Sequence, residues 1–113
     1  MDELNTLDSL FQAIESSKIH PLLIFKHSLT CPISARAFKE VKDFIETESP
    51  NLHTALVVVQ KSRDVSNEAA SLLKVEHESP QVILVKDGKS VWNTSHFQIT
   101  SENLKTFTDS IRK

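Results

Sequence analysis

Apolar positions fall along the chain in two rhythms, and their alternation sketches the fold. Leu4, Leu7, Phe11 and Ile14 recur at helical spacing, which predicts an amphipathic helix over 3–16 with Thr6 or Asp2 as its cap. Ser16, Ser17, Lys18 and Pro21 break it. Leu22, Leu23, Ile24 and Phe25 then form a nearly continuous apolar run, the pattern of a strand buried on both faces. Small and polar residues over 27–30 read as a turn. Ala37, Phe38, Val41, Phe44 and Ile45 make the stripe of a second helix over 31–47, with Thr30 as a candidate cap and Pro50-Asn51 as its end. Ala55 to Val59 centre a second buried strand over 54–60, completing a right-handed βαβ unit with parallel strands.

The second half of the chain is read the same way. Ser66-Asn67-Glu68-Ala69 opens a short helix carrying Ala69, Leu72 and Leu73. Pro80 precedes a strand over 81–86, and Asp87-Gly88 then joins it to a strand over 90–93, the strongest hairpin signal present. Leu104, Phe107 and Ile111 mark a last helix behind a cap at Thr100 or Ser101. The order α-βαβ-α-ββ-α predicts an α/β, thioredoxin-like fold. Its four-stranded mixed sheet is expected to be flanked by helices in one domain over 1–113.

Composition narrows function only by exclusion. The 113 residues are 39% hydrophobic and 25% charged with a formal net charge of −2, so no basic excess suggests nucleic acid. Met1–Leu10 is acidic and broken by polar residues, unlike a secretory leader, and no apolar run is long enough for a bilayer. One cysteine makes no internal disulfide. A cytoplasmic monomer without membrane or nucleic-acid partners is the expectation.

That cysteine is the chief candidate for chemistry. Cys31 falls where the first buried strand gives way to a helix, and Pro32 suits the first helical position. A sulfur at a helix N-terminus faces unpaired N–H groups and the positive end of the dipole, which favour thiolate over thiol. A structural core cysteine is the plainer reading, and the strand–turn–helix placement argues against it. Three residues on stands Ser34, where a dithiol exchanger has a second cysteine. Serine cannot resolve a mixed disulfide, so release must come from an outside thiol. Ser34 is expected either to hydrogen-bond the sulfur or to be an ordinary helix-surface serine. Lys26 and His27, just before the loop, are candidates for favouring thiolate by their charge, against the readings of a solvated strand end and a satisfied loop histidine. Thr30 and Pro32 complete the thiol-supporting set. In a thioredoxin fold the loop opposite the cysteine carries a cis-proline, a part that falls to Pro80, with the backbone of Ser79 meeting the substrate peptide. His77 and His96 are further candidates for the rim. His27 and Cys31 are too few for a metal site, and no metal is expected.

The stretch Phe25-Lys26-His27-Ser28, followed by Thr30-Cys31-Pro32-Ile33-Ser34, resembles the active-site segment of the YtxJ-like proteins, the monothiol bacilliredoxins. The likeness continues in Val65-Ser66-Asn67-Glu68, in His77-Glu78-Ser79-Pro80-Gln81-Val82-Ile83-Leu84 and in Ser95-His96-Phe97-Gln98-Ile99-Thr100. Phe97 departs from it, standing where a tryptophan is expected. The resemblance implies a thioredoxin-like fold and removal of bacillithiol from S-bacillithiolated proteins. Cys31 is then the nucleophile, Ser79-Pro80 the opposing loop, and bacillithiol a co-substrate rather than a tightly bound cofactor. Another low-molecular-weight thiol or redoxin could serve as the recycling partner.

Two rivals stand beside this reading. Some monothiol glutaredoxins bind an iron–sulfur cluster between subunits, but those carry glycine where this chain has Pro32. A non-catalytic redox sensor or adaptor with a modifiable Cys31 would accumulate an adduct instead of turning it over.

Overall fold

The computed structural model describes residues 1–48 and 51–111. Its strands are β1 (Asp2–Glu3), β2 (Leu22–His27), β3 (His53–Val58), β4 (Gln81–Lys86) and β5 (Lys89–Ser95). They form one mixed sheet in the order β1-β3-β2-β4-β5. Its helices are α1 (Leu7–Ser16), α2 (Pro32–Glu48), α3 (Arg63–Leu73) and α4 (Ser101–Ile111), with a 3₁₀ turn at His96–Gln98 before the last. No described helix is long and apolar enough to cross a membrane.

Both faces of the sheet are covered, which is why β2 and β4 read as unbroken apolar runs. Successive side chains along a strand point to opposite faces. Leu22 and Ile24 of β2 therefore join Ala55, Val57, Ile83 and Val85 beneath α1 and α3, packing on Leu10, Ala13, Val65, Ala69 and Leu73. Leu23 and Phe25 join Val82 and Leu84 on the other face, against Ala37, Val41 and Phe44 of α2 and Leu104 of α4.

Several boundaries differ from the sequence reading, each for a local reason. β3 spans His53–Val58 rather than 54–60, because the Val58 carbonyl accepts the Lys61 and Ser62 N–H groups at 3.1 and 2.9 Å and turns the chain there. The first helix begins at Leu7, not residue 3, because Thr6 Oγ1 accepts the Ser9 N–H at 3.1 Å and closes a capping box there. Asp2 is not a cap. With Glu3 it pairs parallel to Ala55 and Leu56, and its carboxylate reaches His53 at 2.7 Å, adding a fifth strand at the sheet edge. Two residues carry too little periodicity to announce a strand. The third helix starts at Arg63 rather than Ser66, since the Ser62 carbonyl already accepts the Ser66 N–H at 3.0 Å. The last strand extends to Ser95, pairing with Gln81. The expected helix end at Pro50-Asn51 lies partly outside the described residues, Pro50 being among those omitted.

The hairpin forms where Asp-Gly predicts it, with φ of 54° at Asp87 and 76° at Gly88. These positive values give the turn the twist that antiparallel strands need. The turn is anchored to the end of α1, where Ser17 Oγ accepts the Gly88 N–H at 2.8 Å and the Ser17 carbonyl accepts the Asp87 N–H at 3.0 Å. At α4 the Thr100 hydroxyl accepts the Asn103 N–H at 3.1 Å, so Thr100 is the cap.

Candidate functional site

Topology gathers the candidate residues at one end of the sheet. β2 runs parallel to β3 and antiparallel to β4. The C-terminal ends of β2 and β3 therefore lie beside the N-terminal end of β4, with the starts of α2 and α3 above them. Such a rim outside the carboxyl ends of strands is the usual place for chemistry in open α/β sheets.

Cys31 stands on this rim as a free, half-exposed thiol. Its carbonyl accepts the Ala35 N–H at 3.0 Å, which makes Cys31, not Thr30, the cap residue of α2. Thr30 lies exposed in the preceding turn. Pro32 opens the helix at the position where a missing N–H costs nothing. The thiol thus sits at the positive end of a helix with 17 residues.

Ser34 is neither on the helix surface nor bonded to the sulfur. It is fully buried. Its Oγ lies 2.7 Å from His27 Nδ1 and accepts the Ser28 N–H at 2.9 Å. The hydroxyl therefore latches the loop between β2 and α2 to the first turn of the helix. Gln60, just past β3, clips the same loop from the other side. Its Oε1 accepts the Leu29 N–H at 3.1 Å and its Nε2 donates to Ser28 Oγ at 2.7 Å. Together they hold the chain that presents Cys31.

Lys26 and His27 are adjacent in sequence and on opposite faces of the sheet. His27 follows Phe25 onto the α2 face, its ring 5.5 Å from that of Phe25 and 5.0 Å from that of Phe38. Burial holds the imidazole below its ordinary pKa, with the Ser34 contact pulling the other way. Its ring is thus packed on Phe25 and Phe38 and tied to Ser34. Lys26 follows Ile24 onto the α3 face and is fully buried, not a solvated strand end. Its Nζ donates to the Ser66 carbonyl at 3.0 Å and lies 3.3 Å from His77 Nδ1. Burial pushes its pKa down to about 8. Lys26 thus turns toward α3 and His77, away from the helix that carries Cys31.

The Ser79–Pro80 peptide is cis. Pro80 is buried, Ser79 is half-buried, and the Pro80 carbonyl accepts the His96 N–H at 3.1 Å. Since Lys26 pairs with Gln81, this loop emerges at the same end of the sheet as the Cys31 loop. His77 faces Lys26. His96, at a φ of 54°, is 4.0 Å from Glu78. Arg36 of α2 lies over the exposed ring of Phe97, 5.3 Å from its centroid.

The sequence model of the family described as monothiol bacilliredoxin BrxC matches residues 2–104. The chain belongs to that family. Among solved structures, one assigned as an oxidoreductase with a thioredoxin fold is 34% identical, with a TM-score of 0.84 over 93% of this chain and 90% of its own. Thioredoxin from Fasciola hepatica is 23% identical with a TM-score of 0.76, over 97% of this chain and 98% of its own. Mitochondrial thioredoxin 3 from Saccharomyces cerevisiae is 16% identical with a TM-score of 0.76, over 97% and 94%. The last two share the fold alone. Membership gives this bacilliredoxin-family chain a thiol redox role on a thioredoxin fold.

Sequence reading missed two residues of the site. Gln60 sits at the tail of an apolar strand with no local mark of its task, and Ser66 acts through a backbone carbonyl, which no side chain advertises.

Proposed function

We propose that the protein removes bacillithiol from S-bacillithiolated proteins by monothiol exchange at Cys31. The observation that carries this reading is a half-exposed thiol at the start of α2 with a buried hydroxyl, Ser34, three residues on where a resolving thiol would stand. Membership of the bacilliredoxin family supports the identity of the small thiol.

The cycle has two balanced exchanges. The Cys31 thiolate attacks the bacillithiol sulfur of the capped protein. The protein's sulfur leaves as thiolate and takes up a proton, and Cys31 is joined to bacillithiol. A second bacillithiol thiolate then attacks the bacillithiol sulfur of that adduct. Bacillithiol disulfide departs and the Cys31 thiolate returns. The two oxidising equivalents of the cap leave in the product disulfide, so no bound cofactor is required. The positive end of α2 supports Cys31 both as nucleophile and as leaving group. In this reading the Ser79 backbone receives the substrate chain, and Pro80 shapes that loop.

The test is de-bacillithiolation of a capped model protein followed by intact mass, with Cys31→Ser alongside. Wild type is expected to strip the cap and to pass through a Cys31–bacillithiol adduct, while the variant does neither. A folded wild type that gains the adduct but never clears a second protein would be a sensor, and the exchange reading would fall.

A further inference from the structure

A fully buried lysine in the central strand of a sheet calls for an explanation, because burying a charge is costly without good partners. Among the described residues no carboxylate lies within ion-pair distance of Lys26 Nζ. Its partners are both on the rim: the Ser66 carbonyl in the first turn of α3, and His77 Nδ1 in the segment leading to Ser79–Pro80. Ser66 Oγ also lies 3.3 Å from the same His77 nitrogen. A lysine ammonium can only donate, so Nδ1 is its acceptor, the lone-pair nitrogen of a neutral ring with its proton on Nε2.

The segment 76–79 has few other side-chain ties. Gln81, which pairs with Lys26 across β2 and β4, donates from Nε2 to the Glu76 carbonyl at 3.0 Å. Glu78 reaches His96 only at 4.0 Å, between half-exposed groups. The loop's own hydroxyl, Ser79 Oγ, is buried without a partner among the described residues. The hold on this loop therefore comes from beneath, through the strand residues Lys26 and Gln81.

We infer that Lys26 is a positioning residue for the exchange reaction, clasping His77 and the start of α3 so that the Ser79–Pro80 loop is held ready to receive the capped protein. The inference rests on the proposed exchange only for its kinetic readout; the clasp itself can be tested without turnover. It differs from the role that Lys26 suggests in the sequence, where its charge serves the thiol directly. The charged groups around the clasp are Arg63 on α3 and Glu78 beside His77, with His96 beyond Glu78. Burial and the charges of Lys26 and Arg63 hold His77 below its ordinary pKa, against Glu78, which keeps the acceptor nitrogen free at neutral pH.

The test compares Lys26→Met, His77→Ala and His77→Gln with wild type in three assays. The first two variants are expected to raise KM for a bacillithiolated protein about tenfold at nearly unchanged kcat, the loss of roughly one charge-assisted hydrogen bond. They should lower the backbone NMR order parameters over 76–79, from about 0.85 toward below about 0.6, and leave the rate and pH profile of Cys31 alkylation unaltered. His77→Gln, which keeps an acceptor, should behave as wild type. A shifted alkylation profile in Lys26→Met would return Lys26 to the thiol and overturn the inference. Unchanged order parameters over 76–79 in the variants would also overturn it. Should Lys26→Met not fold, His77→Ala, at an exposed side chain, carries the test. Wild type that fails to strip the cap at all would sink the proposed function, while the order parameters over 76–79 would still decide the clasp.

Discussion

Removing the Ser34 hydroxyl tests how the Cys31 loop is held. In Ser34→Ala, two groups lose their partner: the Ser28 N–H, bonded at 2.9 Å, and His27 Nδ1, at 2.7 Å. Leaving a buried donor or acceptor unpaired costs about 1–3 kcal/mol, and a bond whose groups can turn to water costs nearer 0.5–1. Both orphaned residues are half-buried, so the expected total is about 2 kcal/mol. An unfolding entropy of about 2.1 cal/mol/K per residue gives about 0.24 kcal/mol/K for 113 residues, so the midpoint should fall by about 8 °C. The control is Ser110→Ala. That serine donates to a backbone carbonyl, Phe107 at 2.7 Å, on the exposed face of α4, and its loss should stay within about 0.5 kcal/mol. Thermal and urea melts followed by circular dichroism measure both. If Ser34→Ala costs no more than Ser110→Ala, the hydroxyl is not a latch and the helix-surface reading of Ser34 is restored.

Two further outcomes follow from single positions. Lys26 holds its proton less tightly folded, at about 8, than unfolded, at 10.5. Between these values the unfolded chain binds more protons, so this residue's contribution to stability rises with pH across that window and is flat below it. Urea midpoints of wild type relative to Lys26→Met should therefore climb from pH 8 to 10; a constant difference would refute the burial argument. Gly88→Ala meets no atom within 4 Å of the added carbon, so its cost is purely conformational, at a φ of 76°. Forcing a side chain into that region costs about 1–2 kcal/mol, read as a lower urea midpoint at unchanged m-value, and a neutral effect would contradict the turn geometry.

Local signals decided most of the fold. The apolar runs at Leu22–Phe25 and Ala55–Val58 become strands because a sheet covered on both sides buries nearly all of such a run, Leu56 alone staying partly exposed. Asp87-Gly88 makes its hairpin because the turn tolerates positive φ at both positions. Cys31 falls at a helix start because Pro32 and the stripe behind it leave little choice. These features depend on residues near one another in the chain, so the sequence determined them. What escaped depends on residues far apart. Strand β1 exists only because the edge of β3 is there to pair with two otherwise unremarkable residues. Ser34 becomes a latch because the loop folds back over it, and Gln60 becomes a clip because β3 ends beside Ser28. Lys26 and His27, neighbours in the chain, serve different faces because a strand alternates. The partner that gives Lys26 its place, His77, is 51 residues away. The chain announced where its thiol stands; only tertiary structure decided which side chains hold the rim around it, since those contacts close across the sheet.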